Sequence, residues 1–322
     1  MNLLFLDCKY RYESTYFYCK EKNYNVVIVD RKKSSPINFS CKLKPFTEFT
    51  KRYYDIEYYK SFDMFFDMII NFNDNYKSLL LEHKLSNLFQ TENEFNNDAL
   101  LFFSSKNEQD KVYKLLSIPT IPSNSEDIII KKDFGFAGGE GFSYGKRSQY
   151  AINENEFVQD LIKIDHIISC HVLIDSNSKW NILNYHNMSY LDNCPTRSVS
   201  PYFPQIEHQD FIISCISKLK TQIKVRNRIC VWQFLVSKDG HIYPMDFNSR
   251  PAGGYNAGSY DTDVSSLNWN AFLIDQQKIP NVITYNSKVE CHYKKFQKFG
   301  YGPYERIKTN YKTNPSREVL TL

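Results

Sequence analysis

Glycine is scarce and clustered in this chain, and its placement limits where the fold can accommodate a ligand. There are 11 glycines among 322 residues, and none precedes Gly135. Five of them fall between Gly135 and Gly145, and three more fall between Gly253 and Gly258. Glycine marks backbone that takes a positive φ or that a ligand approaches closely. These two segments are therefore the first places to look for a functional site.

The composition is that of a globular chain with a sizeable core. Hydrophobic residues make up 42% of the sequence and charged residues 24%, and the length is sufficient for two or three packed units. The 40 basic residues are nearly balanced by 36 acidic ones and are scattered, which gives a net charge of +4. A charge this small and this dispersed argues against a nucleic-acid partner.

The sequence pattern does not indicate a secreted or membrane-bound chain. The N-terminal apolar run is short and ends at Asp7 without a basic leader, and no stretch approaches the ~18 apolar residues of a membrane span. The eight cysteines include no Cys-x-x-Cys pair and no zinc-ligand spacing. We expect them to be buried free thiols in a cytoplasmic protein that has no membrane association.

The first part of the chain has the pattern of a small α/β domain. Strands are predicted at 2–7 and 25–30, with a helix between them that ends near Asn23. The turn after the first strand contains no glycine, which excludes a dinucleotide-binding fingerprint. The spacing of apolar residues further predicts helices over 56–90 and 107–117.

From residue 127 onward the pattern favours strands. They are predicted at 127–132, 141–147, 167–174, 179–186, 229–236 and 241–247, with an amphipathic helix at 207–223. The first two strands form a hairpin around the glycine-rich loop. The segment 187–205 is expected to be a loop that selects the substrate.

The first candidate site is a lysine at the end of an apolar strand. Lys131 directly follows the run 128–130, and the glycine-rich loop comes after it. A lysine supplies a point charge and a flexible glycine loop supplies backbone N–H groups, which together can hold a phosphate. The segment is not a P-loop, because no Gly-Lys-Ser/Thr ends it. Taken alone, it also fits an ordinary glycine-rich hairpin turn.

The second candidate site is a predicted hairpin whose turn is Asp239-Gly240. A two-residue turn there places Gln233 directly across from Asp246, and Asn248 shares a strand face with Asp246. Carboxylate and amide oxygens of this kind suit Mg²⁺, which is usually bound together with nucleotide phosphates. Arg250 follows, where its planar fork can bind a phosphate or a carboxylate. Taken alone, the pattern also fits an ordinary hairpin with an exposed polar face.

Together, in this order and separation, the two sites resemble those of the ATP-grasp family. The resemblance covers roughly residues 100–275 and includes the helix and the proline-containing segment before the lysine strand. It implies an α/β (α+β) ATP-grasp fold, with a leading small α/β domain at 1–98 and the ATP-grasp domain at 99–322. A lid subdomain is expected at about 122–175, followed by a C-terminal catalytic subdomain.

The resemblance also implies ATP and Mg²⁺ as cofactors and a role for each candidate residue. Lys131 would contact the α-phosphate, and Lys111 is a weaker candidate for a second phosphate contact. Arg250 would stabilise the transferred phosphoryl group, so the catalytic residues are Arg250 and Lys131. The remaining roles are closure over the β- and γ-phosphates by Gly138 and Gly139, an adenine pocket of Gln159, Asp160, Leu161 and Ile162, a ribose contact by His166, and metal binding by Gln233, Asp246 and Asn248.

Two positions depart from the family pattern. An acidic residue usually stands where this chain has Gln233, and a carboxylate usually binds the ribose where this chain has His166. These departures leave open a weakened site or one that binds a single metal ion.

The activity that the resemblance implies is ATP-dependent ligation of a carboxylate to an amine through an acyl phosphate, with ADP and phosphate as products. The expected partners are small molecules, amino acids or peptides among them, and a homodimer is an expected assembly. Two alternatives stay open. One is another ATP-grasp reaction, carboxylase-like or phosphotransferring, and the other is a nucleotide-binding protein without turnover.

Overall fold

The computed structural model describes most of the chain. The described residues are 1–7, 13–30, 46–91, 96–134, 142–191, 194–250, 269–278, 281–284, 288–292, 305–309, 316–318 and 320–322. The glycine-rich loop 135–141, with the predicted phosphate contacts Gly138 and Gly139, lies outside them, and so does the segment 251–268 with the second glycine cluster.

The N-terminal part forms a four-stranded parallel sheet with the strand order β3-β2-β1-β4. Strands β1 and β2 are continuous apolar runs, as expected of parallel strands that are covered on both faces. The predicted α/β start is therefore confirmed. The elements are β1 (Asn2–Leu6), α1 (Glu13–Glu21), β2 (Asn25–Asp30), β3 (Phe46–Phe49), α2 (Ile56–Lys60), β4 (Met68–Asn71) and α3 (Tyr76–Phe89).

The predicted helix over 56–90 is wrong in its middle, where the structure has strand β4 between two helices. The four residues of β4 are all buried, and the strand pairs in parallel with β1. An apolar run this short fits a helix or a strand equally well by sequence pattern. The deciding factor is its pairing with β1, which is far away in the sequence.

Two helices and a small antiparallel sheet follow. The strand order of this sheet, which we call the small sheet, is β6-β5-β7. The predicted helix near 107–117 and the predicted strand pair that flanks the glycine-rich loop are confirmed. The elements are α4 (Asn97–Ser104), α5 (Lys106–Leu115), β5 (Asp127–Lys132), β6 (Phe142–Lys146) and β7 (Glu156–Asp160).

A large antiparallel sheet has the strand order β12-β11-β8-β9-β10-β14-β15, and β17 also pairs with β9. Helix α6 packs on one face of it and buries the main apolar core, which includes Ile168, Trp232 and Phe247. Separately, β13 pairs with β16. The elements are β8 (Ile164–Ile174), β9 (Trp180–Leu191), β10 (Cys194–Ser200), α6 (Ile206–Leu219), β11 (Arg228–Ser237), β12 (Ile242–Asn248), α7 (Trp269–Ile274), β13 (Val282–Thr284), β14 (Lys288–His292), β15 (Glu305–Thr309), β16 (Ser316–Glu318) and β17 (Leu320–Thr321).

The segment 187–205, predicted to be a loop, consists largely of strand. β9 continues to Leu191, and β10 pairs with β9 on one side and with β14 on the other. The polar residues and prolines of this segment are typical of loops, and the pairing register shifts next to Pro195. β10 therefore lies between its chain neighbour β9 and strand β14, which is far away in the sequence.

Two further expectations concern the chain as a whole. Among the described residues, no helix is long and apolar enough to span a membrane. Cys19, Cys170, Cys215 and Cys230 are buried free thiols, as predicted.

Candidate active site

β12 lies at one edge of the large sheet as described and bears two of the predicted metal ligands. Asp246 and Asn248 share one face of this strand, because Phe247 between them is buried in the apolar core on the other face. Both residues are only partly buried. The alternation of side chains that the sequence predicts is therefore present at this position.

The turn between β11 and β12 differs from the predicted one. It contains three residues rather than two, since the Ser237 N–H donates to the His241 carbonyl at 2.9 Å. Gly240 in this turn has a φ of 86°, which explains the glycine. The longer turn shifts the strand pairing by one residue, so that Val236 lies opposite Ile242.

A bulge further along the hairpin compensates for this shift. Phe234 pairs with Pro244 and Trp232 with Phe247, which leaves Gln233 opposite the two residues 245 and 246. Gln233 is partly buried and lies on the strand face opposite Trp232. The predicted proximity of Gln233 to Asp246 therefore holds, although the predicted register was wrong at the turn.

Helix α5 brings a further lysine to this region. Asp133, just after β5, accepts hydrogen bonds from the Ser105 hydroxyl at 2.9 Å and the Asn107 N–H at 2.8 Å. The Lys106 N–H donates to the Asp133 carbonyl at 3.2 Å. The start of α5, with Lys106, is thus fixed to the end of β5 that bears Lys131.

The carboxyl group of Asp246 is influenced by three positive charges. Burial by itself would raise its pKa, but neighbouring cations outweigh burial and hold the pKa below its usual value. In order of decreasing effect, these cations are Lys106, Lys131 and Arg250. Asp246 is therefore ionised at neutral pH.

Lys131 has a different electrostatic environment from Asp246. Burial lowers the pKa of its ammonium group, and the nearby charge of Lys106 lowers it further, whereas Asp246 acts in the opposite direction. Two lysines that repel each other beside a single carboxylate favour the binding of an additional anion. A phosphate group would supply that negative charge.

Arg250 lies just after β12 and is almost completely buried. Its Nη2 atom is 2.8 Å from Oδ2 of Asp74, in the loop between β4 and α3. This loop is fixed by its own side chains, because Asn73 accepts from the Asn75 N–H and Asn75 caps helix α3. The N-terminal part of the chain therefore supplies a carboxylate that orients Arg250, and Asp74 was not among the predicted site residues.

The structure places Lys111 apart from this group of charges. Its ammonium group is 2.5 Å from Glu108 Oε1 on the exposed surface of α5, with 70% of the side chain accessible. Lys106, which was not among the predicted site residues, is the α5 lysine whose charge acts on Asp246. A signal for it exists in the sequence. A lysine directly after the N-cap Ser105 opposes the helix dipole, so its presence there calls for another reason.

The segment predicted to bind adenine already uses part of its backbone. The Asp160 N–H donates to the Pro122 carbonyl at 3.0 Å, and the Leu161 N–H donates to the Asp127 carbonyl at 2.9 Å. The Asp160 carboxylate accepts a hydrogen bond from Arg147 at 3.1 Å. An adenine base would therefore have to be recognised by other groups of this segment.

Gln159 offers one such group. It is buried, and within the described part of the chain its Oε1 atom accepts no hydrogen bond. Across the small sheet, Phe157 pairs with Lys131, and Gln159 lies two residues from Phe157. Gln159 and Lys131 therefore share one face of the small sheet. Ile162, just beyond β7, is partly buried.

The structure does not bring His166 together with the predicted metal ligands. His166 lies on the same face of β8 as the core residue Ile168, and its ring centroid is 6.2 Å from that of His208 on α6. Its Nδ1 atom is 2.7 Å from Oδ2 of Asp165. Gln233, by contrast, lies on the opposite face of the large sheet from His166. The ribose contact of His166 stays a prediction.

The oxygen-bearing side chains near β12 suit a magnesium ion. Among the described residues, no three His, Cys, Asp or Glu side chains come together as a metal site. The available donors are one carboxylate and two amides, from Asp246, Asn248 and Gln233. Mg²⁺ commonly takes one or two carboxylates and completes its shell with water and substrate phosphates, so this donor set fits it.

Comparison with known proteins gives a result at the level of structure. No family model matches the sequence, and no curated protein matches it. N5-carboxyaminoimidazole synthetase from Staphylococcus aureus, complexed with ADP, matches 91% of this chain and 82% of its own, with a TM-score of 0.73 and 14% identity. An ATP-grasp superfamily protein from Archaeoglobus fulgidus matches 97% of this chain and 100% of its own, with a TM-score of 0.61 and 16% identity. The chain has the ATP-grasp fold.

The ATP-grasp fold confirms the predicted fold class. An L-amino acid ligase from Bacillus licheniformis has the same fold, with a TM-score of 0.67 and 11% identity over 92% of this chain and 80% of its own. At such identities the likeness concerns the fold, so the roles of individual residues rest on the geometry around Asp246.

Proposed function

We propose that this chain is an ATP-dependent ligase that activates a carboxylate as an acyl phosphate and transfers the acyl group to an amine. The observation that carries the proposal is the ionised carboxylate of Asp246 among cations from three separate elements. Lys106 comes from α5, Lys131 from β5, and Arg250 from the segment after β12. A partly buried site with this excess of positive charge is suited to a nucleotide polyphosphate and its metal ion.

The residues of the site divide between nucleotide and metal. Asp246 and Asn248, with Gln233 opposite them, would hold Mg²⁺, which when bound neutralises charge on the phosphates. Lys131 and Lys106 would bind phosphate oxygens as point charges. The small sheet would belong to the lid subdomain expected at about 122–175, and the adenine base would lie beside β7.

Arg250 fits the reacting end of the nucleotide. The substrate carboxylate attacks the γ-phosphorus, the bond from that phosphorus to the β-phosphate oxygen breaks, and ADP leaves. The amine then attacks the carbonyl carbon, inorganic phosphate leaves, and the amine nitrogen loses a proton. Negative charge is spread over the transferred phosphoryl group during the first step, and the guanidinium of Arg250 would stabilise it.

Two of the similar structures support this reaction class. One is an L-amino acid ligase, and the N5-carboxyaminoimidazole synthetase structure contains ADP. We infer that an amino acid or a peptide is among the substrates and that the reaction takes place in the cytoplasm.

The decisive experiment identifies the products. The protein is incubated with ATP, Mg²⁺ and pooled amino acids and small acids, and ADP, AMP, phosphate and pyrophosphate are quantified. With the right acid and no amine, hydroxylamine should trap the activated carboxylate as a hydroxamate while ADP accumulates. Arg250→Ala should reduce this trapping by about 100- to 1000-fold, by comparison with the loss of other groups that stabilise a developing anion. AMP and pyrophosphate as products would contradict the mechanism.

Gln233 favours a second candidate function, nucleotide binding without turnover. A neutral amide at this position contributes less charge to the metal site than a carboxylate would. If this candidate holds, ATP binds with Mg²⁺ but no substrate pool raises the rate of ADP release. Gln233→Glu should then strengthen metal binding and leave the absence of turnover unchanged.

A further inference from the structure

Gln109, in the middle of α5, contacts the backbone of the strand that bears the proposed metal ligands. Its Nε2 donates to the Phe247 carbonyl at 2.8 Å, and its Oε1 accepts from the Phe247 N–H at 3.1 Å. Phe247 is the residue between Asp246 and Asn248. One buried side chain therefore binds both peptide groups of the residue that separates the two ligands.

The sheet topology explains why these peptide groups need such a partner. Among the described residues, β12 is an edge strand of the large sheet and has β11 as its strand neighbour. The peptide groups of alternate residues on an antiparallel edge strand point away from the sheet and lack a strand partner. Gln109 supplies both bonds at Phe247, and the Tyr113 hydroxyl donates to the Met245 carbonyl at 3.2 Å on the same side.

The contact lies next to the irregular part of β12. The bulge opposite Gln233 occupies residues 245 and 246, so the backbone there is not held by regular pairing with β11. Pairing with β11 alone therefore does not fix the direction in which the Asp246 side chain points. The bonds from α5 on either side of Asp246 fix the backbone at Met245 and Phe247.

We propose that Gln109 is a positioning residue, which sets the relative placement of Asp246 and Asn248 by holding the peptide groups of Phe247. The proposal rests on the proposed function, because it concerns the same metal-dependent nucleotide site. Gln109 would act on the metal site through the backbone of Phe247. Through Lys106 at its start and Gln109 in its middle, α5 would couple the phosphate-binding charge to the metal-binding strand.

The test measures metal affinity apart from activity. Binding of Mn²⁺ in the presence of a non-hydrolysable ATP analogue is followed by electron paramagnetic resonance for the wild type and for Gln109→Met. We expect Gln109→Met to bind Mn²⁺ at least tenfold more weakly and to need correspondingly more Mg²⁺ for ADP release, while its kcat at saturating Mg²⁺ falls by less than threefold. Gln109→Asn, which keeps one amide but is too short for both bonds, should show a smaller change in the same direction and serves if the Met variant does not fold.

Tyr59→Phe is the matched control. Tyr59 is buried in the N-terminal part and donates to the Tyr53 carbonyl at 2.8 Å, so its loss also removes a buried side-chain bond to backbone. It should lower thermal stability without changing Mn²⁺ affinity. If both Gln109 variants fold and bind Mn²⁺ as the wild type does, while Asp246→Asn abolishes binding, the positioning role is wrong. If Asp246→Asn also binds Mn²⁺ normally, it is the proposed function that fails.

Discussion

Two groups of charged residues on the β11–β12 hairpin differ in how their charges are balanced. At the start of β11, Arg228 forms an ion pair with Glu82 of α3, and both side chains are almost completely buried. Arg228 also donates to the Ser249 carbonyl at 3.1 Å. At the other group, Asp246 lies among three cations, and of these Arg250 is also paired with Asp74.

The difference separates a structural role from a binding role. Burial raises the pKa of Glu82, and the charge of Arg228, its partner in the ion pair, acts against that effect. A matched pair leaves no charge for a ligand and connects α3 to the large sheet. The group around Asp246 has more positive than negative charge, and an anionic ligand would complete it. Charge balance, rather than burial alone, therefore distinguishes the two groups.

The largest effect is expected in the group of charges around Asp246. Asp246→Asn keeps the shape of the side chain but removes the carboxylate whose pKa Lys106, Lys131 and Arg250 lower. Turnover should fall on the order of a thousandfold or more, as for other single groups that act in the reaction itself. ADP release measures the change, and circular dichroism should show an intact fold. Near wild-type ADP release would remove the assignment of this site.

Asn248→Ala should have a smaller effect, because a neutral ligand contributes less charge.

The buried pair of Glu82 and Arg228 should affect stability rather than turnover. Glu82→Gln leaves the Arg228 guanidinium buried without its counter-charge, so the free energy of unfolding should decrease by about 3–5 kcal/mol. Urea unfolding measures this decrease. The matched control is Glu57→Gln, because Glu57 pairs with Lys60 on the exposed surface, where a pair contributes at most about 1 kcal/mol. Equal effects of the two substitutions would show that the buried pair is not structural.

Two buried histidines of the large sheet, His171 and His186, should make the stability of the protein depend on pH. Burial lowers the pKa of His171 to about 3 and that of His186 to about 4. The unfolded chain binds these protons near pH 6.5, so the folded state loses stability as the pH falls from about 6.5 towards 4. Each histidine should contribute about 1.4 kcal/mol per pH unit in that window.

The measurement is urea unfolding at pH 7, 6 and 5. The double variant His171→Gln, His186→Gln should have a weaker dependence on pH than the wild type. His241→Gln is the control, because the side chain of His241 is 68% accessible in the folded protein. A double variant with the wild-type pH dependence would contradict the assignment.

The smallest effect is expected on the affinity for ATP, in a comparison of Lys106 and Lys111, two lysines of helix α5. Lys106→Met should weaken ATP binding by about ten- to a hundredfold, since a hydrogen bond to a charged group contributes roughly 1.5–3 kcal/mol. Lys111→Met should change the affinity less than twofold, because Lys111 is ion-paired with Glu108 on the surface. Isothermal titration calorimetry with ATP and Mg²⁺ distinguishes them. The opposite order would restore Lys111 as the phosphate contact.

The sequence alone determined the features that depend on local spacing. The period-two alternation on β12 placed Asp246 and Asn248 on one face, and the apolar run before Lys131 identified its strand. The order of these motifs indicated the ATP-grasp fold, which the structure confirms. The strand and the shared face follow from side-chain direction within one strand or hairpin, which neighbouring residues fix, whereas the fold was implied by the resemblance of the motifs to a known family.

Tertiary structure alone decided what depends on distant partners. β4 is a strand because β1 pairs with it, and one of the two strands that pair with β10 is the distant β14. Lys106 rather than Lys111 reaches Asp246 because Asp133 fixes the start of α5. Asp74, which orients Arg250, comes from a loop of the N-terminal part. Hydrogen bonds and charges act over a few ångströms in space, whatever the separation along the chain, so the spacing of residues within one element does not identify these partners.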